Sequence, residues 1–116
     1  MALKLVGEDA ETPPPPRKLG KFGTQLWQSV TRSYCIEDAG GIELLCGACQ
    51  QLDRAESCRT IIDRDGELLK SKTGMREHPL LKAELASRAY VARCIQRLGL
   101  DVEALRAGPG RPPMFG

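Results

Sequence analysis

The chain has 116 residues, of which 41% are hydrophobic and 28% charged, with 17 Lys and Arg against 15 Asp and Glu. A chain of this length forms one domain at most, and with only five aromatic residues its core must rely on Leu, Ile, Val, Ala and Cys. The longest apolar stretches are a few residues, whereas a bilayer span needs about 18, so no membrane span is expected. Acidic residues from Glu8 onwards exclude a secretory signal, which predicts a cytosolic protein.

The two ends of the chain are rich in Pro and Gly. Pro13–Pro16 cannot donate backbone hydrogen bonds and favours an extended conformation, so residues 1–18 are predicted to be a flexible Pro-rich arm. Residues 108–116 have the same character and are predicted to be a flexible tail. The folded domain is therefore expected to cover residues 19–107.

A first helix is predicted at the start of this domain. Gly20 and Gly23 weaken its first turn, so its regular part is expected to begin near Thr24. Its apolar residues recur at three- and four-residue steps and place one face towards a core. They are Leu19, Phe22, Leu26, Val30 and Tyr34, with Trp27 beside them.

A second, longer helix is predicted to begin after Asp38, whose carboxylate can accept hydrogen bonds from the first exposed amides. Gly66 is expected to end it. Its buried stripe is predicted to contain Ile42, Leu45, Cys49, Leu52, Ala55 and Ile62.

The helical periodicity stops between Glu67 and Pro79, where a turn-rich sequence predicts a short hairpin or flap. His78-Pro79 is expected to open a third helix that Gly99 ends, followed by a short helix over Val102–Ala107. The apolar face of the third helix is predicted to contain Leu81, Leu85, Ala89, Ala92 and Ile95, with Leu98 beside them. The predicted fold is mainly α, with three principal helices, a β-hairpin or flap between the second and third, and a short C-terminal helix.

The near-neutral total charge conceals a separation along the chain. Residues 37–65 contain seven acids against three arginines, whereas residues 80–98 contain one acid against four bases. One interpretation is that the two helices face each other, or a neighbouring subunit, with ordinary solvated charge. The other is a basic surface for phosphates. On that interpretation the basic side chains contact the phosphates of DNA rather than its base edges. The candidate DNA contacts are Arg17, Lys18, Lys21, Lys70, Lys72, Arg76, Arg88, Arg93 and Arg97.

Cysteine and histidine provide the only other candidate chemistry. Cys46 and Cys49 have the spacing of half a zinc site, but no second pair accompanies them, so they are interpreted as packing residues of a buried helix face, with no metal expected. His78 is the only histidine and lacks a nucleophile constellation, which favours a capping or buried hydrogen-bonding role. The sequence therefore predicts no enzyme, no catalytic residue and no cofactor.

The order of these features resembles a known family. A Pro-rich arm is followed by a helix containing Leu and Trp, and then by a long acidic helix with Ile42-Glu43-Leu44-Leu45-Cys46 near its start. A flap over residues 65–74, His78-Pro79-Leu80-Leu81 and a helix closing on Leu98-Gly99-Leu100 come next. Over about residues 13–107 the chain is similar to the short type of phage terminase small subunit. It departs from the family pattern after Leu100, where Asp101-Val102-Glu103 replaces the usual Pro and Arg.

The resemblance implies a non-enzymatic component of the machinery that packages viral DNA. Members of the family assemble into homo-oligomeric rings, bind double-stranded viral DNA, and recruit and regulate the large terminase subunit, which carries the ATPase and nuclease. It also implies localisation in the cytoplasm of the bacterial host. The alternative is a helical protein-interaction scaffold that does not bind nucleic acid.

Overall fold

The computed structural model describes residues 3–5 and 12–100. Its elements are β1 (Leu3–Leu5), α1 (Lys21–Ser33), β2 (Tyr34–Ile36), α2 (Ala39–Asp65), β3 (Leu68–Ser71), β4 (Gly74–Glu77) and α3 (Leu80–Leu98). The protein is thus mainly helical, with a two-stranded antiparallel hairpin between α2 and α3, which confirms the predicted fold class. The expected C-terminal helix and tail lie outside the described residues, as do residues 1–2 and 6–11 of the predicted N-terminal arm.

α1 begins at Lys21, three residues earlier than the sequence predicts. The amides of Gly20 and Gly23 donate hydrogen bonds of 2.7 and 2.9 Å to the carboxylate of Asp53 on α2. A side chain from a distant helix therefore satisfies the first free amides of α1, and stabilises a first turn that is locally weak. The expectation that the regular helix starts near Thr24 is wrong for this reason.

α2 has the ends that its sequence predicts. The Asp38 carboxylate accepts a 3.0 Å hydrogen bond from the Gly41 amide, and the helix ends at Gly66. Of the predicted stripe, Leu45, Cys49, Ala55 and Ile62 are buried, while Ile42 and Leu52 are half-buried. α2 is the longest helix, with 27 residues. Neither it nor any other helix of the described residues is long and apolar enough to cross a membrane.

The core lies at one end of the molecule, where α1, the N-terminal half of α2 and the C-terminal end of α3 meet. Its buried residues are Trp27, Val30, Leu45, Cys46, Cys49, Leu98 and Leu100. Trp27 is central to it, whereas Phe22, which the sequence places on the same apolar face, is 37% exposed. The buried side of α1 is thus centred on Trp27 and Val30 rather than on Phe22.

The buried face of α3 differs from the predicted one. Leu85, expected to be in the core, is 66% exposed, and Ala89 and Ala92 are also exposed. The buried residues of α3 are Glu84, Ser87, Val91, Cys94 and Leu98. The prediction fails because the first half of α3 packs on α2 through polar side chains, which an apolar pattern does not reveal.

The β3–β4 hairpin is anchored at its base. The His78 amide donates a 2.7 Å hydrogen bond to the Glu67 carbonyl, which ties together the two ends of the hairpin. At the turn, the Ser71 hydroxyl donates to the Gly74 carbonyl at 2.6 Å, and Gly74 has a φ of +123°, which a residue with a side chain rarely adopts. β1 and β2 form a second, antiparallel pair that the sequence did not predict.

Candidate nucleic-acid interface

The acidic residues of α2 are engaged within the subunit. Besides Asp38 and Asp53, whose carboxylates bind helix amides, four acids of this helix form ion pairs. These pairs are Glu43 with Arg17, Glu56 with Arg88, Asp63 with Arg59, and Asp65 with Arg64. The negative charge of α2 is therefore largely paired with groups of the same subunit, while the Glu43 and Asp63 side chains remain 55% and 69% exposed.

A polar seam joins α2 to the first half of α3. Glu84 is only 5% exposed, and its carboxylate accepts hydrogen bonds from Arg88 at 3.0 and 2.9 Å. Arg88 also donates to Glu56 across the helix pair at 2.7 Å, and this hydrogen bond raises the pKa of its guanidinium above the ordinary value. Arg88, a predicted DNA contact, thus lies in ion pairs that hold the two helices together.

Other polar groups continue this seam. Ser87 donates a 3.0 Å hydrogen bond to the side-chain carbonyl of Gln51, and Arg59 lies 3.6 Å from Glu84. Two buried nitrogens of Arg59, Nε and Nη2, make no hydrogen bond within the described residues, and its guanidinium forms ion pairs with Asp63, Glu67 and Glu84. The hydrogen bond from Ser87 to Gln51 and the ion pairs of Glu84 and Arg88 therefore join the first half of α3 to α2.

The predicted contacts at the arm are partly engaged. Arg17 forms an ion pair with Glu43, and the Trp27 indole donates a 2.7 Å hydrogen bond to the Pro13 carbonyl, so the inner end of the arm lies on α1 and α2. Lys18 and Lys21 are exposed, and the Lys21 ammonium lies 5.6 Å from the centre of the Phe22 ring. Of the three predicted DNA contacts near the arm, the two lysines are therefore exposed, whereas Arg17 is already paired with Glu43.

The hairpin carries free positive charge. Lys70, Lys72 and Arg76 are exposed, and none of them forms an ion pair or a side-chain hydrogen bond with any residue of the described part of the chain. Arg76 shares a cleft of about 350 Å³ with Lys82, which is also exposed and without such a partner there. Lys82 was not among the sequence candidates, although the charge count of the third helix included it.

The exposed face of α3 extends this positive charge. At 100° per residue, Lys82, Arg93 and Arg97 lie within about 60° of one another around the helix axis. Arg93 and Arg97 are exposed and have no ion-pair partner within residues 12–100. With Tyr90 they line an open groove of about 560 Å³ against Leu44 of α2. The only acid of α3, Glu84, is buried on the opposite side.

His78 has the structural role that the sequence favours. It is 6% exposed, its Nδ1 accepts a 3.1 Å hydrogen bond from the Leu80 amide, and its Nε2 lies 3.0 Å from the Asp65 carboxylate. The proton is therefore assigned to Nε2, which donates to Asp65. Hydrogen bonds from Arg64 first, and then from His78, hold the pKa of Asp65 at about 2. His78 thus caps α3 and anchors the hairpin.

Cys46 and Cys49 lie in the core. Both are fully buried, and burial raises the pKa of the Cys49 thiol to about 12, with smaller contributions from Cys46 and Asp53. No cluster of three or more His, Cys, Asp or Glu side chains suited to a metal ion occurs within the described ranges. These thiols pack as small apolar groups beside Trp27 and Leu45.

Comparison of the chain with protein-family models, with curated proteins and with solved structures gives no match. We use the name cationic surface for Lys70, Lys72, Arg76, Lys82, Arg93 and Arg97. Lys70 and Arg76 lie on opposite faces of the hairpin, and Lys82, Arg93 and Arg97 lie on one side of α3.

Proposed function

We propose that this protein binds double-stranded DNA through the cationic surface. The observation that supports the proposal is the difference in charge pairing. Acids of α2 form ion pairs within the same subunit, whereas the six cations of the surface have no ion-pair partner among residues 12–100. Unpaired basic groups on the hairpin and along one side of α3 attract a polyanion and replace the counterions that it releases.

The dimensions of α3 suit a phosphate backbone. With a rise of 1.5 Å per residue, Lys82 lies about 16 Å from Arg93 and about 22 Å from Arg97 along the helix axis. Such spacings allow the three side chains to reach different phosphates of one duplex segment. Arg88 is left out of the proposed contact because its guanidinium is neutralised by Glu56 and Glu84.

The resemblance extends this proposal to viral DNA packaging. On that reading the protein acts without enzymatic activity, as a homo-oligomeric ring on viral DNA in the host cytoplasm, and recruits and regulates the large terminase subunit. Leu85 supports self-assembly, because a leucine 66% exposed on α3 is an apolar group that a neighbouring copy could bury. Attraction between acidic and basic helices is not its expected basis, since the acids of α2 are engaged within the subunit.

DNA binding is tested by fluorescence anisotropy with a labelled 30-base-pair duplex at 100 mM salt. Replacing Arg93 and Arg97 by Gln is expected to weaken binding at least about 10-fold, because two phosphate contacts are lost. The matched control replaces Arg32 and Arg54 by Gln, two exposed arginines of α1 and α2 outside the cationic surface. Equal affinities of the two double variants would contradict the proposed surface.

Self-assembly is tested by native mass spectrometry of the full chain. A closed homo-oligomer is expected for the wild-type protein, and Leu85→Lys is expected to shift it towards the monomer by placing a charge in the contact. A wild-type protein that stays monomeric at micromolar concentration would contradict the packaging role while leaving DNA binding to be judged by the anisotropy experiment.

The alternative, a protein-interaction scaffold, is favoured by a different region. A groove of about 190 Å³ between α1, β2 and the start of α2 is lined by Trp27, Tyr34 and Ile42, and the prolines of the arm lie against it. An aromatic groove whose indole donates to a proline carbonyl is a recognition mode for Pro-rich segments. Absence of any DNA shift at 50 mM salt would favour this second candidate function.

A further inference from the structure

The outer face of the β3–β4 hairpin combines apolar and basic side chains. The register pairs Leu68 with Glu77 and Lys70 with Met75, and residues directly opposite each other share a face. Leu68 is 59% exposed and Met75 is 62% exposed, the largest exposures of apolar side chains in this part of the fold. Because Leu68 and Met75 lie diagonally on one face, they form a small apolar pair beside Lys70 that a partner can cover.

The hairpin is also held in a defined orientation. Its ends are joined by the hydrogen bond from the His78 amide to the Glu67 carbonyl, and the His78 ring is fixed between Asp65 and the first turn of α3. Leu69, on the inner face, is half-buried. The ribbon therefore extends from a fixed base rather than from a loose loop, which lowers the entropic cost of inserting it into a partner.

Size selects the part of DNA that such a ribbon can enter. Four residues per strand give a length of about 13 Å, and the two strands are about 4.8 Å apart before side chains are added. The major groove, about 12 Å wide and 8.5 Å deep, admits a two-stranded ribbon, whereas the minor groove, about 6 Å wide, does not. We propose that the β3–β4 hairpin enters the major groove and that Lys70 and Met75 read base edges there.

The chemistry of these two side chains matches groups that only the major groove displays. A lysine ammonium donates to O6 and N7 of guanine, and an apolar side chain contacts the C5 methyl of thymine. Lys72 at the turn and Arg76 on the other face are placed for the phosphates on either side of the groove. This inference rests on the proposed DNA binding and adds sequence preference to it.

A second copy of this chain is a poorer occupant for the same face. Residues 68–77 carry three cations, with Lys70 on this face, Lys72 at the turn and Arg76 on the other face, against one acid, Glu77, which shares the face with Lys70. Lysine is depleted in the cores of protein interfaces. A two-fold contact between hairpins would also bring together two segments that each carry three cations and one acid. Charge complementarity therefore favours DNA.

The test is selection from a pool of random duplexes by the full-length protein, followed by sequencing. The wild-type chain is expected to enrich a motif containing guanine and thymine. The double variant Lys70→Ala with Met75→Ser is expected to lose the enrichment while keeping duplex affinity within about tenfold, because the rest of the cationic surface remains. Arg76→Ala is the matched control: it removes one charge from the other face of the hairpin and is expected to keep the motif.

A chemical probe then locates the contact. In the selected duplex, replacing the motif guanine by 7-deazaguanine is expected to weaken wild-type binding about 5-fold or more, because the N7 acceptor is lost. The same replacement is expected to leave binding by Lys70→Ala unchanged. A minor-groove ligand such as distamycin is expected not to compete.

The outcomes separate this inference from the proposed function. Salt-dependent binding without an enriched motif, or the same motif with the double variant, would overturn base reading by the hairpin and leave DNA binding intact. No retention of any duplex at 50 mM salt would overturn both. A smaller oligomer for the double variant by native mass spectrometry, with DNA selection unchanged, would show that the hairpin face joins copies of the chain.

Discussion

Packing of α1 against α2 depends on the absence of a side chain at Gly23. A Cβ atom built there would lie 2.7 Å from the Cys49 carbonyl oxygen and would also collide with the Asp53 carboxylate. The Cys49 carbonyl is part of the α2 backbone and cannot move away without shifting the helix. The Asp53 carboxylate is held by hydrogen bonds from the amides of Gly20 and Gly23. Gly23→Ala must therefore separate the two helices or displace the Asp53 cap.

The size of the effect follows from opposing contributions. Alanine favours a helix over glycine by about 1 kcal/mol. Overpacking costs about 1–3 kcal/mol, and a hydrogen bond to a charged group contributes about 1.5–3 kcal/mol. Because the unfavourable contributions outweigh the propensity gain, Gly23→Ala is expected to lower the free energy of unfolding by about 2 kcal/mol. For a domain of this size that corresponds to a fall in Tm of roughly 10 °C.

The assay is thermal unfolding followed by circular dichroism at 222 nm. Gly40→Ala is the matched control, since this glycine also lies in a first helical turn and a Cβ atom there would have only Asp38 within reach, at an ordinary 3.6 Å. The control is expected to raise Tm or leave it unchanged. If Gly23→Ala were as stable as Gly40→Ala, the close approach of α1 to α2 described above would be wrong.

Three further predictions concern single side chains. Arg88→Ala is expected to lower the free energy of unfolding, measured by urea titration, by about 2 kcal/mol, because it leaves Glu84 buried without its closest partner. The control Arg93→Ala is expected to change the free energy of unfolding by less than about 0.5 kcal/mol. Equal effects of the two substitutions would contradict the polar seam. Asp65 has a pKa lowered to about 2, so its ionised form stabilises the fold above the unfolded pKa near 4 and that stabilisation is lost as the pH falls through 2. The Tm difference between the wild type and Asp65→Asn should accordingly narrow as the pH falls from about 4 to about 2. A constant difference would show that the Asp65 carboxylate does not stabilise the fold through its lowered pKa. Alkylation by N-ethylmaleimide at pH 8, mapped by mass spectrometry, is expected to modify half-buried Cys35 well before buried Cys49. The Cys49 thiol has a pKa of about 12, so only about one molecule in 10,000 carries its thiolate at pH 8. Faster alkylation of Cys49 would show that the core is open to solvent.

Local sequence signals predicted the ends of the helices well. Asp38, Gly66 and Gly99 act within one turn of their own helix, so their effects can be read without knowing the fold. The start of α1 could not be predicted in this way. Asp53 satisfies the amide of Gly23 from 30 residues away, and only the packing of two helices brings these groups together.

The same distinction applies to the candidate site. The exposure of Lys70 and Lys72 follows from a turn-rich segment that the sequence identifies as a flap. The ion pair that neutralises Arg88 depends on Glu56, 32 residues earlier in the chain, and on a buried Glu84 that an apolar pattern assigns to solvent. Charge counts along the sequence therefore left a basic surface and mutual pairing of the helices as alternatives, and pairing in the fold decides which cations have no partner among the described residues.

The salt dependence of DNA affinity tests the central claim most directly. The logarithm of the observed binding constant of a 30-base-pair duplex is measured against the logarithm of salt concentration between 50 and 200 mM. With at least four phosphate contacts from the cationic surface, the slope is expected to be about −3.5 or steeper, and replacing Arg93 and Arg97 by Gln should flatten it by roughly 2. A slope near zero, or a slope that the double variant leaves unchanged, would contradict phosphate binding by this surface.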